Sequence, residues 1–112
     1  MRLEEKKLLQ DMMDSAEAIA TFIKGKTFED MQQDQLLRSA IYYQFVIVGE
    51  ALCQLRVYDN DLVERISESP RIIGFRNQVV HGYSRMDDEI TWRIIQTKLP
   101  VLREELTRLL SQ

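Results

Sequence analysis

Residues 40–53 read AIYYQFVIVGEALC and are apolar almost all round a helix, with Gln44 and Glu50 as the main polar exceptions. The run could be mistaken for a buried strand. Its length and the helical spacing of its neighbours instead indicate a long helix from about Asp34 to Arg56. A helix that is apolar nearly all round lies at the centre of a bundle or is covered by a second subunit. The fold is therefore expected to form around this helix.

Gly49 and Glu50 are unusual in the middle of such a helix. A glycine in a helix interior costs about 1 kcal/mol relative to alanine, so Gly49 predicts the close approach of another helix. Glutamate is rarely buried without a partner. Glu50 therefore either lies on a narrow polar edge or pairs inside the bundle with a cation such as Arg76. The sequence leaves both interpretations open.

Helical periodicity extends over the rest of the chain, and no segment shows the alternation of a half-buried strand. Apolar residues at steps of three and four predict an amphipathic first helix from about Leu3 to Lys24. Ser69 followed by Pro70 predicts the start of a later helix, with the serine as its N-cap. Gly82 is well placed to end that helix.

The last helix is predicted to begin at the acidic residues 87–89, which suit a helix N-terminus. Pro100 should kink it, because proline removes one backbone hydrogen bond. The apolar seam of this helix consists of Ile95, Leu99, Leu102, Leu106 and Leu109. The sequence thus predicts one all-α domain over residues 1–112, an antiparallel bundle of four to five helices with a kinked C-terminal helix.

Composition argues against several classes of protein. The 112 residues include one cysteine and one histidine, so one chain can form neither an internal disulfide nor a zinc cage of His and Cys ligands. No run approaches the roughly 18 apolar residues of a membrane span. The charged N-terminus is followed by no signal-peptide core. We therefore expect a cytoplasmic protein that has no metal site and does not contact a membrane.

The net charge of −3 is unevenly distributed. The acidic excess lies in the first half of the chain, and the second half is slightly basic. This distribution permits a local phosphate site but lacks the strongly basic character of a general nucleic-acid binder. The arginines that could contribute to such a site are Arg65, Arg71, Arg76, Arg85 and Arg93.

Residues 74–83, which read GFRNQVVHGY, carry the strongest candidate for chemistry. On a helix, Arg76 falls inside an apolar arc that includes Val79 and Val80, so its charge needs a partner. A guanidinium can grip phosphate oxygens, and the imidazole of His81 can transfer a proton near neutral pH. Such a pair could also be no more than two solvated charges on a helix.

The spacing of the two residues raises a geometric problem. Five positions along a regular helix separate the side chains of Arg76 and His81 by about 140°. They can meet only if the helix loosens at its end, or if two chains complete one site across a symmetric interface. A dimer would also supply two histidines, one for each proton transfer.

This run closely resembles the R-x4-H-x-Y signature of HepT-like proteins in the HEPN superfamily. Residues 47–51 resemble the Gly-Glu element of that family, and the tail fits its ending through Ile90, Trp92, Ile95, Leu99, Pro100 and Leu102. The resemblance implies a HEPN-like helical homodimer that acts as the toxin of a toxin–antitoxin pair. It also implies a metal-independent endoribonuclease that needs no cofactor.

The resemblance further implies a role for each residue of the motif. Arg76 would hold the scissile phosphate of RNA, His81 would be the general acid or base, and Asn77 would orient the site or bind phosphate. Tyr83 would be the regulatory residue, modified with AMP by a cognate minimal nucleotidyltransferase antitoxin. Gly49 and Glu50 would support the site.

Two alternatives remain open. The protein could be a non-catalytic helical dimer that serves as a binding partner of a minimal nucleotidyltransferase. It could also be a purely structural domain in which Arg76 only pairs with Glu50.

Overall fold

Seven α-helices and one 3-10 turn form the protein in a computed structural model that describes residues 1–112. No strand is present, so the predicted all-α bundle is confirmed. Two of the helices, α2 and α4, have only six and five residues. In chain order the elements are α1 (Leu3–Phe22), α2 (Phe28–Gln33), α3 (Gln35–Tyr58), α4 (Asn60–Glu64), α5 (Ser69–Gly82), the 3-10 turn (Tyr83–Arg85), α6 (Asp88–Thr97) and α7 (Leu99–Leu110).

Helix α3 is the central element, as the apolar run predicts. It packs against α1, α2, α4 and α5, and α1 packs in turn against α7. By length and composition alone α3 could cross a membrane. Its contacts on several sides are instead those of the core helix of a globular bundle. Its buried residues are Leu37, Ile41, Tyr42, Phe45, Val48, Gly49, Ala51, Leu52 and Leu55.

The start of α5 differs from the prediction at Ser69. This residue is the first helical residue rather than the N-cap, and its side chain is buried. The cap position belongs to Glu68, which is left-handed with φ of 59° and gives no side-chain cap. Contacts outside α5 explain the shift, because Glu68 is bound to Lys98 at 3.0 Å and Ser67 is bound to Glu105.

The C-terminal segment is two helices rather than one kinked helix. The break falls at Lys98, two residues before Pro100. The nitrogen of Pro100 carries no hydrogen, so it cannot donate a hydrogen bond to the preceding turn. The predicted apolar seam is nevertheless buried along both helices. The two helices contact each other, and α7 lies against α1.

Helix α5 carries the candidate motif and packs mainly on α3. Val79 is buried, and Ile72 and Ile73 are half-buried. Val80 was expected in the same apolar arc but is 48% exposed. The reason is that only α3 covers this helix closely, so residues at the edge of the arc stay open to solvent.

Candidate active site

Arg76 lies directly against the backbone of α3 at Gly49. A Cβ placed on Gly49 would collide with the Cβ of Arg76 and come within 2.6 Å of its Cγ. Carbon atoms normally make contact at about 3.5–4.0 Å. The glycine therefore leaves the room that the aliphatic part of Arg76 occupies. This is the close approach that a glycine in the middle of α3 predicts.

The guanidinium of Arg76 is anchored on two sides. Its Nη2 donates to the carboxylate of Glu50, and its Nη1 donates to Asn77 Oδ1 at 2.7 Å. The side chain remains 23% exposed. Its Nε is buried and has no partner within the chain. Because each terminal nitrogen carries two N–H groups, each keeps one donor for a ligand.

Asn77 connects this anchored arginine to a groove on the other side of α5. Its side-chain oxygen accepts from Arg76, so the amide NH₂ is the part left for another partner. Asn77 also lines the groove that contains His81. It is the residue of the motif that belongs to both environments.

The groove beside His81 has a volume of about 630 Å³ and opens where the end of α5 meets the 3-10 turn and the start of α6. His81 is exposed within it, so its imidazole can reach a ligand. No group of three or more His, Cys, Asp or Glu side chains could hold a metal ion. The groove is lined by Phe75, Asn77, Gln78, His81, Gly82, Arg85, Met86, Asp87 and Ile90.

Within one chain, Arg76 is not among the residues that line the groove of His81. Helix α5 stays helical through Gly82, and the 3-10 turn begins only at Tyr83, after the histidine. A loosened helix end therefore does not bring the two side chains together. Arg76 is directed at α3, whereas His81 lines the groove.

Tyr83 begins the 3-10 turn and is 47% exposed. Its ring packs edge-to-face on Tyr42 of α3, with centroids 5.5 Å apart. The Tyr42 hydroxyl is within 2.6 Å of Asp88 Oδ1 and 2.9 Å of Thr91 Oγ1. Burial, together with the carboxylate of Asp88, raises the pKa of Tyr42. The hydroxyl therefore stays protonated and donates to Asp88.

Sequence reasoning missed Tyr42 as a residue of this region. It lies inside an apolar run, and its partner Asp88 is 46 positions away. A tyrosine in a core helix does suggest a buried hydroxyl that needs a partner. Nothing in the sequence, however, indicates which partner that is.

The fold and site define a small helical-bundle protein with an anchored arginine and an exposed histidine on one helix. The profile of the family described as "Ribonuclease HepT-like" matches residues 12–109, and the chain belongs to this family. No solved structure matches the chain significantly.

Three relatives are named as ribonucleases. One from Methanocaldococcus jannaschii, "Putative RNase MJ1380", is 27% identical over 90% of this chain and 92% of its own length. One from Caldanaerobacter subterraneus, "Putative RNase TTE0752", is 27% identical over 93% of this chain and 92% of its own. A longer M. jannaschii protein, "Gamma-glutamylcyclotransferase and putative RNase MJ0434", is 25% identical over the whole chain, which spans 50% of it.

Proposed function

We propose that this protein is a metal-independent endoribonuclease that acts as the toxin of a HepT/nucleotidyltransferase toxin–antitoxin pair. Membership of the HepT-like family supports a ribonuclease. The observation that carries the proposal is Asn77, which binds the anchored Arg76 and also lines the groove of the exposed His81. The groups proposed to bind phosphate and to transfer a proton thus lie on either side of one amide.

The residues suit cleavage of an RNA phosphodiester by its own 2′-hydroxyl. Arg76 has two terminal N–H donors left for the phosphate oxygens, and its charge persists at any working pH. His81 takes the proton from the 2′-hydroxyl as this oxygen attacks phosphorus, or gives a proton to the departing 5′-oxygen. Asn77 donates from its NH₂ to the same phosphate. The products are a cyclic phosphate end and a 5′-hydroxyl end.

The proposed enzyme is a homodimer, because one chain holds one histidine and Arg76 does not line the groove that contains it. A second copy related by twofold symmetry can bring its own His81 to this arginine. Exposed apolar side chains flank the Arg76–Glu50 pair and support an interface there. Tyr43 lies seven positions before Glu50 on the same face of α3 and is 64% exposed, and Val80 follows Arg76 by one turn of α5.

The proposed partner is a minimal nucleotidyltransferase antitoxin that transfers AMP to Tyr83 in the cytoplasm. The half-exposed ring of Tyr83 supports access by such a partner. AMP on this hydroxyl would place a phosphate two residues from His81, at a site proposed for RNA phosphate. Inhibition would follow from repulsion and blocked access, without a change of fold.

The test is cleavage of RNA by purified protein in the presence of a chelator. Wild type should cleave, and His81→Ala and Arg76→Ala should each lose activity. Arg103→Ala is the matched control, because this exposed arginine of α7 lies outside the site. If wild type does not cleave, or His81→Ala cleaves as well as wild type, the enzymatic proposal is wrong.

One observation favours the alternative of a non-catalytic helical dimer that binds a nucleotidyltransferase. Arg76 is already paired with Glu50 inside one chain, as a purely structural arginine would be. Under this alternative no RNA is cleaved, and the protein still forms a stable complex with a minimal nucleotidyltransferase. Size-exclusion chromatography of the two proteins, run beside the cleavage assay, distinguishes the two functions.

A further inference from the structure

We propose that the groove beside His81 is a nucleobase subsite, in which Gln78 reads the base of the nucleotide next to the scissile phosphate. This inference rests on the proposed cleavage of RNA and adds a residue that determines specificity. It concerns only the groove, which Arg76 does not line.

The groove has the mixed surface that a nucleobase needs. Phe75, Met86 and Ile90 are its three hydrophobic residues, whereas its other lining residues are polar or glycine. A base has apolar faces, which can pack on hydrophobic side chains, and a hydrogen-bonding edge, which polar side chains can recognise. The volume of about 630 Å³ falls within the range of small-ligand sites.

The apolar part of the groove is held in place from behind. Phe75 is half-buried and packs edge-to-face on Phe45, with ring centroids 5.0 Å apart. Its ring also lies nearly parallel to Tyr42 at 6.4 Å. A platform fixed in this way loses little conformational entropy when a base packs on it. Ile90 is half-exposed and lines the same groove, so it can contact the same base.

Gln78 is the groove residue best suited to read the base. It is exposed, and none of the hydrogen bonds within the chain uses its amide. It can therefore present a donor and an acceptor to the edge of a base. The neighbouring amide of Asn77 differs, because its oxygen is taken by Arg76. The NH₂ of Asn77 can therefore bind phosphate, and the whole amide of Gln78 can bind the base.

The charges of the groove are compatible with RNA. Arg85 lines it and takes part in no ion pair, so its guanidinium can contact a flanking phosphate. The one carboxylate, Asp87, accepts hydrogen bonds from the backbone N–H groups of Glu89 and Ile90 at the start of α6. These bonds and the helix dipole offset the negative charge that would otherwise repel a phosphate.

The first experiment maps base preference by cleaving a random RNA pool and sequencing the new ends. Wild type should prefer particular bases at one position beside the cut. Gln78→Ala should reduce that preference several-fold. Gln78→Glu should shift it towards bases that present an amino donor, because a carboxylate only accepts. Gln96→Ala is the matched control, since this exposed glutamine of α6 lies outside the groove.

The second experiment measures binding without cleavage. Oligonucleotides that carry 2′-deoxy sugars throughout and one abasic site, moved stepwise along the chain, are titrated into wild type and followed by fluorescence anisotropy. One abasic position should weaken binding by roughly 5- to 100-fold, the effect expected for loss of one packed base. The loss at that position should be only partly reduced in Gln78→Ala, because this variant removes the hydrogen bonds to the base edge and keeps the surface on which the base packs.

The outcomes separate this inference from the proposed function. Equal affinity for every abasic position, or an unchanged base preference in Gln78→Ala, overturns the subsite even if RNA is cleaved. A position-specific loss of binding in a protein that cleaves nothing supports the subsite and overturns the ribonuclease. If a second copy of the chain occupies the groove, binding should show equal affinity for every abasic position.

Discussion

Gly49→Ala is the sharpest test of how α3 and α5 position the site. The added methyl group would overlap the Cβ of Arg76 and lie 2.6 Å from its Cγ. These are atoms next to the backbone of α5, so they cannot swing away as the end of a flexible side chain can. Helix α5 must therefore move away from α3, and the guanidinium of Arg76 must move away from Glu50.

The magnitude follows from two opposed effects. Overpacking in a tight contact costs about 1–3 kcal/mol, whereas alanine gains about 0.5–1 kcal/mol over glycine in a helix interior. We expect the free energy of unfolding to fall by up to roughly 2.5 kcal/mol. Gly74→Ala in α5 is the matched control, because a Cβ there meets nothing within 4 Å. It should instead raise stability by about 0.5–1 kcal/mol.

The assay is urea denaturation of the two variants beside wild type, followed by RNA cleavage at a temperature at which all three are folded. Displacement of Arg76 by about 1 Å should lower the cleavage rate of Gly49→Ala roughly tenfold or more. Gly74→Ala should cleave like wild type. If Gly49→Ala is as stable as Gly74→Ala, the close contact between the two helices is wrong.

Three further predictions concern the shared site, the Tyr42 contacts and pH. Mixing Arg76→Ala with His81→Ala should restore part of the activity, because a mixed dimer keeps one intact arginine facing one intact histidine; no restoration would mean that each site belongs to one chain. Tyr42→Phe should lower the free energy of unfolding by about 1–3 kcal/mol, since buried hydrogen bonds are lost, and an unchanged urea midpoint would contradict this. Lys98→Met should raise the pKa of Glu68, which the hydrogen bond from Lys98 holds below its ordinary value, as NMR titration of the carboxyl carbon would show. Because the pKa in the folded state is lowered, the stabilisation is present above the unfolded pKa and lost as pH falls through the folded pKa, so wild type and variant should converge in acid. An equal dependence of stability on pH in both proteins would contradict a stabilising Lys98–Glu68 pair.

The sequence predicted which residues form the motif better than it predicted how those residues are arranged. Helical phase places Asn77 and His81 together, and both line the groove. The same phase predicts an apolar arc around Arg76, and of the two interpretations left open for Glu50 the structure shows the pairing with Arg76. The contact of Tyr42 with Asp88 was not predictable, because it joins residues 46 positions apart. The predicted N-cap of α5 was also wrong by one residue. Contacts of Ser67 with α7 and of Glu68 with Lys98 determine where this helix begins.

The sequence by itself determined that the chain is an all-α bundle centred on α3, because the period of apolar residues is a local property that backbone geometry converts directly into helices. It also predicted which residues are proposed to bind phosphate and to transfer protons. Only the tertiary structure decided which side of α5 each of them faces. Packing of Arg76 on Gly49 turns one side towards α3, and the meeting of the end of α5 with the start of α6 leaves His81 in an open groove. Those outcomes depend on distances between helices, which no local pattern encodes.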